Sequence, residues 1–516
     1  MVGVGWRFAV LVAGLLPVSL GGCASHGAES LDGALDGPAR AARGPKNVLF
    51  IAIDDLRPEL GCYGVEHARS PRLDEFARSG MLFERHFTPA PSCGPSRYAL
   101  LTGRSPARSG ALGNEALYRG KTRLSEGETA GPQSVPELFR RSGYRTVGIG
   151  KISHTPDGRV YAYDGTGDGR PELPHAWDEL PTPFGPWKRG WGAFFAYPGG
   201  VHREDGGDHA NLMDFTAEAD TDLPDGLIAQ AAAQRIAELG RADEPFFMGV
   251  GFFKPHLPFV APAGDLAAME DVAISLPPER ERPKTGYVPG SGEFRRYRAE
   301  RGGELVSGKL PTEDEDVLRT RRAYLACVRY VDRQVGTVLD ALEDAGLADS
   351  TIVVIWGDHG WHLGDSGAWG KHSLLDRSLR SVLMVRAPGV TSPGSRTNAL
   401  VSTLDLAPTL AELAGIPEPS MQHPLDGVSL APLLDGSKER VRDRVAGYYG
   451  RAATLRTDSH RLLARRKDGE WTDVRVFRMD GAADPTLEQW SQPARDPSQG
   501  MAREMLSSLL PLERRD

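Results

Sequence analysis

Residues 93–97 read Cys93-Gly94-Pro95-Ser96-Arg97, with a cysteine two positions before a proline and four before an arginine. Upstream, an apolar run ends in two adjacent acids, Asp54-Asp55. Far downstream, a second apolar run ends in Asp358-His359. Two neighbouring carboxylates repel unless a cation neutralises them, and all-oxygen ligands of this type suit a hard ion such as Ca²⁺. Open α/β sheets hold their ligand sites beyond the carboxyl ends of their strands, where both acidic pairs fall. An exposed Asp-Asp turn is the plain alternative, and the second acidic strand end argues against it. His359 is a soft ligand for such an ion. Metal contact, positioning of a nucleophile and contact with a bound anion stay open for it.

The elements that must carry these residues are legible from the apolar pattern. Asn47 to Ile53 is almost continuously apolar, the mark of a strand buried on both faces of a parallel sheet. Thr351 to Trp356, Pro245 to Phe253 and Arg145 to Gly150 read the same way. Helical patterns alternate with them at Ser70 to Ser79 and Leu227 to Leu239. The longest runs from Glu313 to Glu343, with Tyr324, Val328, Val331, Val335, Val338 and Leu342 at three-to-four spacing. Thr312 and Glu315 predict a capping box at its start. A last helix near Leu404 to Leu413 closes the large domain. The pattern predicts an α/β sandwich around a large, mainly parallel sheet.

Between Thr155 and Asp222 the chain is irregular and rich in Gly, Pro, Asp and aromatic residues. Trp187, Trp191, Phe194 and Tyr197 predict an ordered, pocket-shaping insertion. After about Gly436 short strands follow, at Ala446 to Tyr449, Ala453 to Arg456, Arg461 to Ala464 and Val474 to Phe477. They predict a small C-terminal antiparallel sheet, and domains spanning residues 46–435 and 436–516.

The chain of 516 residues is 40% hydrophobic and 25% charged, ordinary for a globular protein. Its net charge of −8 argues against a nucleic-acid binder and against a purely electrostatic grip on sulfated polymers, so any anion site must be local. Arg7 precedes an apolar stretch, Phe8 to Leu20, too short to span a bilayer. It ends in Leu20-Gly21-Gly22-Cys23, which resembles the bacterial lipobox. The expectation is a signal peptide over 1–22 and a flexible tether over 23–45, with export and a lipid anchor on Cys23 holding the protein to a membrane as a periplasmic, outer-membrane or cell-surface lipoprotein. A plain secretory signal with a chance cysteine is the alternative. Of the four cysteines, Cys62, Cys93 and Cys327 remain. If Cys93 is modified, only Cys62 and Cys327 could pair, so the fold rests on its core. Cys327, within the long helical pattern, is predicted to be a buried free thiol.

Taken together, the Cys93 motif and the two acidic strand ends resemble the type I sulfatases, in which that cysteine is oxidised to formylglycine (3-oxoalanine) and becomes the nucleophile. Asp54-Asp55-Leu56-Arg57-Pro58, Gly61-Cys62-Tyr63-Gly64, Gly150-Lys151 with His154, Lys254-Pro255-His256 and Gly357-Asp358-His359-Gly360-Trp361, leading to Lys371, are similar to the iduronate-2-sulfatase branch. The matches run from about Lys46 to Pro408. The resemblance implies an alkaline-phosphatase-like fold. It implies that Asp54, Asp55, Asp358 and His359 surround Ca²⁺ together with the formylglycine at Cys93. It further implies that Arg97, Lys151, His154, His256 and Lys371 line a sulfate pocket, and that Pro95 and Arg97 belong to the signal read by a formylglycine-generating maturation enzyme.

The residue types suit that chemistry. The leaving oxygen of a sulfate ester gains charge as the S–O bond breaks, so cations must stabilise it. A hydrated aldehyde offers a second hydroxyl that can expel sulfate, which an ordinary hydroxyl or thiol cannot. By the same resemblance His256 or Lys371 protonates the leaving alcohol, and His154 takes the proton that releases sulfate. Lys254 is assigned to support of the turn before Pro255, and His362 and His372 to structure. Arg57 either reaches substrate or neutralises local charge.

Two departures bear on specificity. Val476-Phe477-Arg478-Met479-Asp480 stands where the family has Glu-Leu-Tyr-Asp, and the 155–222 insertion matches only in parts such as His209-Ala210-Asn211-Leu212. Iduronate itself is therefore not implied. The leading expectation is an exo-acting sulfatase of a sulfated mono- or oligosaccharide, removing 2-O-sulfate from a uronic acid or acting on a related sugar. The alternatives are a phosphate or phosphonate ester hydrolase, and a non-catalytic sulfated-glycan receptor. The signature of the last would be a lost Cys93, Arg97 or Lys371, and all three are present.

Overall fold

The computed structural model describes residues 46–479, apart from 208, 283–289, 302–303 and 418–419, together with 504–507 and 509. The expected signal peptide, tether and Cys23 lie outside the described residues, as does Asp480. Seven strands form the main sheet: β1 (Asn47–Ile53), β2 (Met81–Phe87), β3 (Arg145–Gly150), β4 (Phe246–Phe252), β5 (Thr351–Gly357), β6 (Leu383–Arg386) and β7 (Ser395–Ser402). Their order is β7-β2-β6-β5-β1-β4-β3. All neighbours pair parallel except β6, which runs antiparallel to both β2 and β5.

Every residue of β4 and β5 is buried, and the side chains of the central strands alternate between two apolar layers. On one face Leu49, Ile51, Val250 and Ile355 pack against helices α1 (Pro71–Ser79), α4 (Pro224–Leu239) and α5 (Asp314–Asp344). On the other, Val48, Phe50, Val354 and Trp356 pack against α2 (Cys93–Thr102), α3 (Val135–Arg141) and α6 (Leu406–Leu413). The four strands expected from the sequence are present, and the α/β sandwich is as expected. Among the described residues no helix is long and apolar enough to cross a membrane.

One local expectation fails. The capping box does not form: α5 starts one residue later, with Glu313 at the N-cap and no side-chain cap bond. Thr312 instead gives its carbonyl to Arg280, 2.8 Å away. The acids Asp314, Glu315 and Asp316 crowd the first turn, where the helix dipole favours negative charge.

The C-terminal strands β8 (Arg444–Tyr449), β9 (Ala452–Thr457), β10 (His460–Lys467) and β11 (Glu470–Arg478) form an antiparallel sheet in chain order. Val445, Leu463 and Phe477 pack against Phe87, Leu374, Leu379 and Leu400. Buried Arg461 donates to the Leu374 carbonyl at 2.7 Å and pairs with Asp376. The sheet thereby braces the segment that follows Lys371. Cys62 and Cys327 are both free thiols. Cys327 is buried in α5, as its pattern predicted.

Candidate active site

The parallel strands deliver the chemistry at one edge. β1 runs into Asp54-Asp55, β5 into Asp358-His359, β3 into Lys151 and His154, and β4 into Lys254 and His256. Cys93 enters from the other side as the first residue of α2. Local backbone conformations make the convergence possible. Asp55 has φ 58, a left-handed conformation rare outside glycine, and its N–H is held by Asp358 Oδ1 at 3.0 Å. Gly150, at φ 73, lets β3 turn sharply where a Cβ would collide with the Gly251 carbonyl. Gly94 within the cysteine motif packs so closely on the Asn114 backbone that no side chain fits.

All ten residues expected at the site come together, each buried. Arg97 Nη2 donates to Asp54 Oδ1 at 2.9 Å and Nε to Asp358 Oδ2 at 3.1 Å, while Nη1 reaches the Lys151 and Ile152 carbonyls. So held, it is a fixed cation between two carboxylates. Lys151 Nζ donates to Asp54 Oδ2 at 2.7 Å and lies 4.1 Å from the Phe194 ring centroid. Lys371 Nζ is 3.1 Å from both Asp55 Oδ1 and Cys93 Sγ. His359 Nε2 is 3.3 Å from the same sulfur and 3.4 Å from Asp55 Oδ1. Its Nδ1 lies 2.9 Å from the Gly360 carbonyl, which only accepts, so Nδ1 donates there and Nε2 is the nitrogen turned inward. His256 repeats the device: Nδ1 donates to the Leu257 carbonyl at 2.6 Å, and Nε2 faces Asp55 Oδ2 at 3.7 Å.

Electrostatics separate the two strand-end acids. Burial alone would raise Asp54, but Lys151 and Arg97 hold it well below the usual carboxylate range. Asp55 is pushed well above that range: burial dominates, Lys371 does not offset it, and Asp54 adds repulsion. Its Oδ2 is buried without a hydrogen-bond partner. One ligand atom from each of Asp54, Asp55, Cys93 and His256 lies within 4.8 Å of the others, and the same holds for Cys93, Asp358 and His359. An orphaned carboxylate oxygen in such a cluster fits a hard cation. Burial and the nearby Asp54 push the Cys93 thiol up to about 12. Burial lowers His256 to about 4, with Lys371 contributing, and lowers His154 well below its ordinary value, with Lys151 contributing. Burial opposes the charge on Lys371, yet Asp55 and Cys93 hold its affinity for a proton well above normal.

The remaining sequence assignments resolve by contact. Arg57 is spent on Glu59 at 2.6 Å, Asp365 at 2.7 Å and the Trp361 carbonyl at 3.0 Å, so it neutralises local charge. Lys254 ties the turn, donating to the His256 and Pro258 carbonyls at 2.9 and 2.6 Å. His362 bonds Ser373 at 2.8 Å, and His372 stacks on Tyr449 at 5.0 Å. The insertion supplies the wall: Trp191 lies 5.4 Å from His154, and Phe194 4.6 Å from His256. One residue escaped the sequence reading. Glu293 Oε1 lies 3.2 Å from Lys371 Nζ and 3.8 Å from His256 Nε2. It stands in a short segment without apolar periodicity, and nothing in its spacing ties it to either partner.

A mainly parallel α/β sandwich with buried acids, fixed cations and a cysteine at its strand ends defines a hydrolase acting on an anionic ester. Residues 46–416 match the sulfatase family. The mouse iduronate 2-sulfatase is 31% identical over 404 residues, covering 72% of this chain and 69% of its own. A sulfatase of Formosa agariphila is 29% identical over 485 residues, covering 90% and 86%. The phosphonate monoester hydrolase of Silicibacter pomeroyi superposes with a TM-score of 0.68 at 24% identity, covering 90% of this chain and 95% of its own, a likeness of fold. The chain belongs to the sulfatase family. It is a sulfuric ester hydrolase with an alkaline-phosphatase-like fold, and iduronate 2-sulfatases are among its homologues.

Proposed function

We propose that this chain is a calcium-dependent carbohydrate sulfatase whose nucleophile is a formylglycine made from Cys93, acting exo on a sulfated uronic acid or a related sugar. The observation that carries the reading is the convergence of Lys371, His359 and the Asp54-Asp55 pair on the Cys93 sulfur. Asp54, Asp55, Asp358 and His359 would hold Ca²⁺, which supplies positive charge for both carboxylates and for the sulfate oxygens. The formylglycine hydrate supplies one hydroxyl to attack sulfur and a second through which sulfate can leave.

The chain's own residues divide the remaining work. Arg97, locked by Asp54 and Asp358, orients those carboxylates and presents fixed charge. Lys151, beside Asp54, and Lys371, beside Asp55 and Cys93, hold the anionic ester. Lys371 keeps its proton too firmly to donate it readily. His256 is the better acid: an arriving anion raises the proton affinity of Nε2, which takes up a proton from solvent as the ester binds and passes it to the leaving alcohol. His154 is neutral with a free Nδ1, and serves as the base. Aromatic residues of the insertion exclude water.

The homologous iduronate 2-sulfatases are the reason for a sugar sulfate. Maturation by a formylglycine-generating enzyme, export, and lipid anchoring at Cys23 as a periplasmic or cell-surface protein belong to the same reading. So do the divisions 1–22, 23–45, 46–435 and 436–516. A two-metal phosphatase is disfavoured because, among the described residues, both groups able to hold a metal share Cys93. The test is sulfate release from sulfated mono- and disaccharides, with Cys93→Ala as control. Release confined to one positional class and lost in the variant is expected. Silence from protein in which Cys93 is fully converted would overturn the substrate class.

A further inference from the structure

We propose that the cavity beyond His154 is a second sugar subsite, which takes the pyranose ring joined to the sulfated residue. The proposal rests on the sulfatase reading above and adds where the rest of the substrate lies. The cavity measures about 700 Å³, and its lining includes Asn114, Tyr118, Lys121, His154, Tyr163 and Trp191. His154 therefore belongs to both compartments, its Nδ1 buried and free of any hydrogen-bond partner.

An aromatic ramp connects them. The Trp191 ring centroid lies 5.4 Å from that of His154, and Tyr163 stacks on Trp191 at 4.5 Å with 27° between planes. Trp191 is buried, whereas Tyr163 is 45% exposed. The outer ring is thus backed by Trp191 while nearly half of its residue surface reaches solvent. Large apolar side chains are seldom this exposed here, and another of them, Leu112 at 38%, lines the same cavity. The Tyr163 hydroxyl lies within electrostatic reach of Lys151 and Glu293 on the catalytic side, and of Tyr118 on the cavity side.

A backed, half-exposed aromatic ring matches the C–H face of a pyranose, and hydroxyl-bearing walls match its hydroxyls. The cations narrow the choice further. Arg119 is taken up by Glu115 at 2.6 Å, while Lys121 is exposed on the cavity wall. It suits a carboxylate or sulfate on the second sugar. A monosaccharide held at Cys93 would leave the ramp open to water, so the substrate is at least a disaccharide with its sulfated terminal residue inward.

The experiment uses full-length Cys93→Ala protein, so that binding is read without turnover. Calorimetry compares sulfated glycosaminoglycan disaccharides with the corresponding sulfated monosaccharides. The disaccharide should bind about tenfold more tightly, the scale of one good aromatic contact. Tyr163→Ala should erase that advantage while leaving monosaccharide affinity unchanged, and Tyr163→Phe, which keeps the ring, should retain it. Equal affinities, or an advantage that survives Tyr163→Ala, would overturn the subsite. Sulfate release by the Cys93 protein is measured in parallel. If no sulfate ester is turned over while the Tyr163-dependent advantage persists, the subsite stands and the sulfatase substrate reading falls.

Discussion

Glu293 sets a carboxylate 3.2 Å from Lys371 Nζ, an ammonium that already lies 3.1 Å from Asp55 Oδ1. Burial would raise this acid, but Lys371 and His256 hold it well below the usual carboxylate range, so it is charged. A sulfate ester brings one negative charge to this pocket, whereas a phosphate monoester near neutrality approaches two. An extra fixed carboxylate therefore weighs most against the more highly charged ligand. Glu293→Gln is expected to lower the inhibition constant of inorganic phosphate on the order of tenfold, the equivalent of ~1.4 kcal/mol. The KM for a sulfate ester should fall by less. Competition assays on both proteins check this, and an unchanged phosphate constant would remove the charge-filter role.

Calcium should stabilise the fold, because Asp55 pays for its burial without a partner for Oδ2. A ligand bound only by the native state at a hundred times its Kd adds about 2.7 kcal/mol. Scanning calorimetry of chelator-treated protein should show Tm rising with added Ca²⁺ and saturating. Asp55→Asn, which removes the second carboxylate charge, should abolish the shift. A wild-type Tm indifferent to calcium would count against the metal.

The sequence exposed those parts of this site that sit on buried parallel strands. Asp54 and Asp358 each follow a strand legible from its apolar run, whereas Lys151 and His256, which follow two more strands of the same sheet, are singled out only by the family resemblance. Three strands of the same sheet were not legible. β2 carries Glu84 and Arg85 in its middle, where Glu84 pairs with Arg396 at 2.8 Å. β6 has only four residues, and β7 is exposed at alternate positions along its first half. Each takes its strand character from neighbours rather than from its own pattern. Glu293 was hidden for a related reason: its partners are set by tertiary packing of a short irregular segment, which leaves no periodic trace.

Cys93 offers a direct reading of maturation. Burial and Asp54 push its thiol to about 12, so near pH 8 the unmodified side chain is almost wholly protonated and a poor nucleophile. Native protein should therefore resist iodoacetamide at Cys93, and the same residue should alkylate once the chain is unfolded. A converted side chain should instead capture a hydrazide through its aldehyde. Peptide mass mapping of residues around Cys93 separates the two populations. Rapid alkylation of the native thiol would contradict the buried, protonated state.

Acid stability should depend on His86, which is buried and bonds Thr403 Oγ1 at 2.9 Å through Nε2. Burial lowers it to about 3, against about 6.5 in an unfolded chain. Between those values the unfolded state binds more protons than the native one. The stability this neutral histidine contributes is therefore full above about pH 6.5 and is lost as pH falls towards 3. Asp225 and Asp332, raised by burial to about 6, run the other way: they add stability as pH falls through 6 towards the ordinary carboxylate range. The wild-type curve alone mixes these opposed slopes. His86→Gln isolates one of them, since only the histidine term differs between the two proteins. The stability advantage of wild type over His86→Gln should shrink by roughly 3 kcal/mol between pH 7 and pH 4, read by denaturant unfolding at each pH. A gap that stays constant across that window would mean His86 is no proton-linked group in the fold.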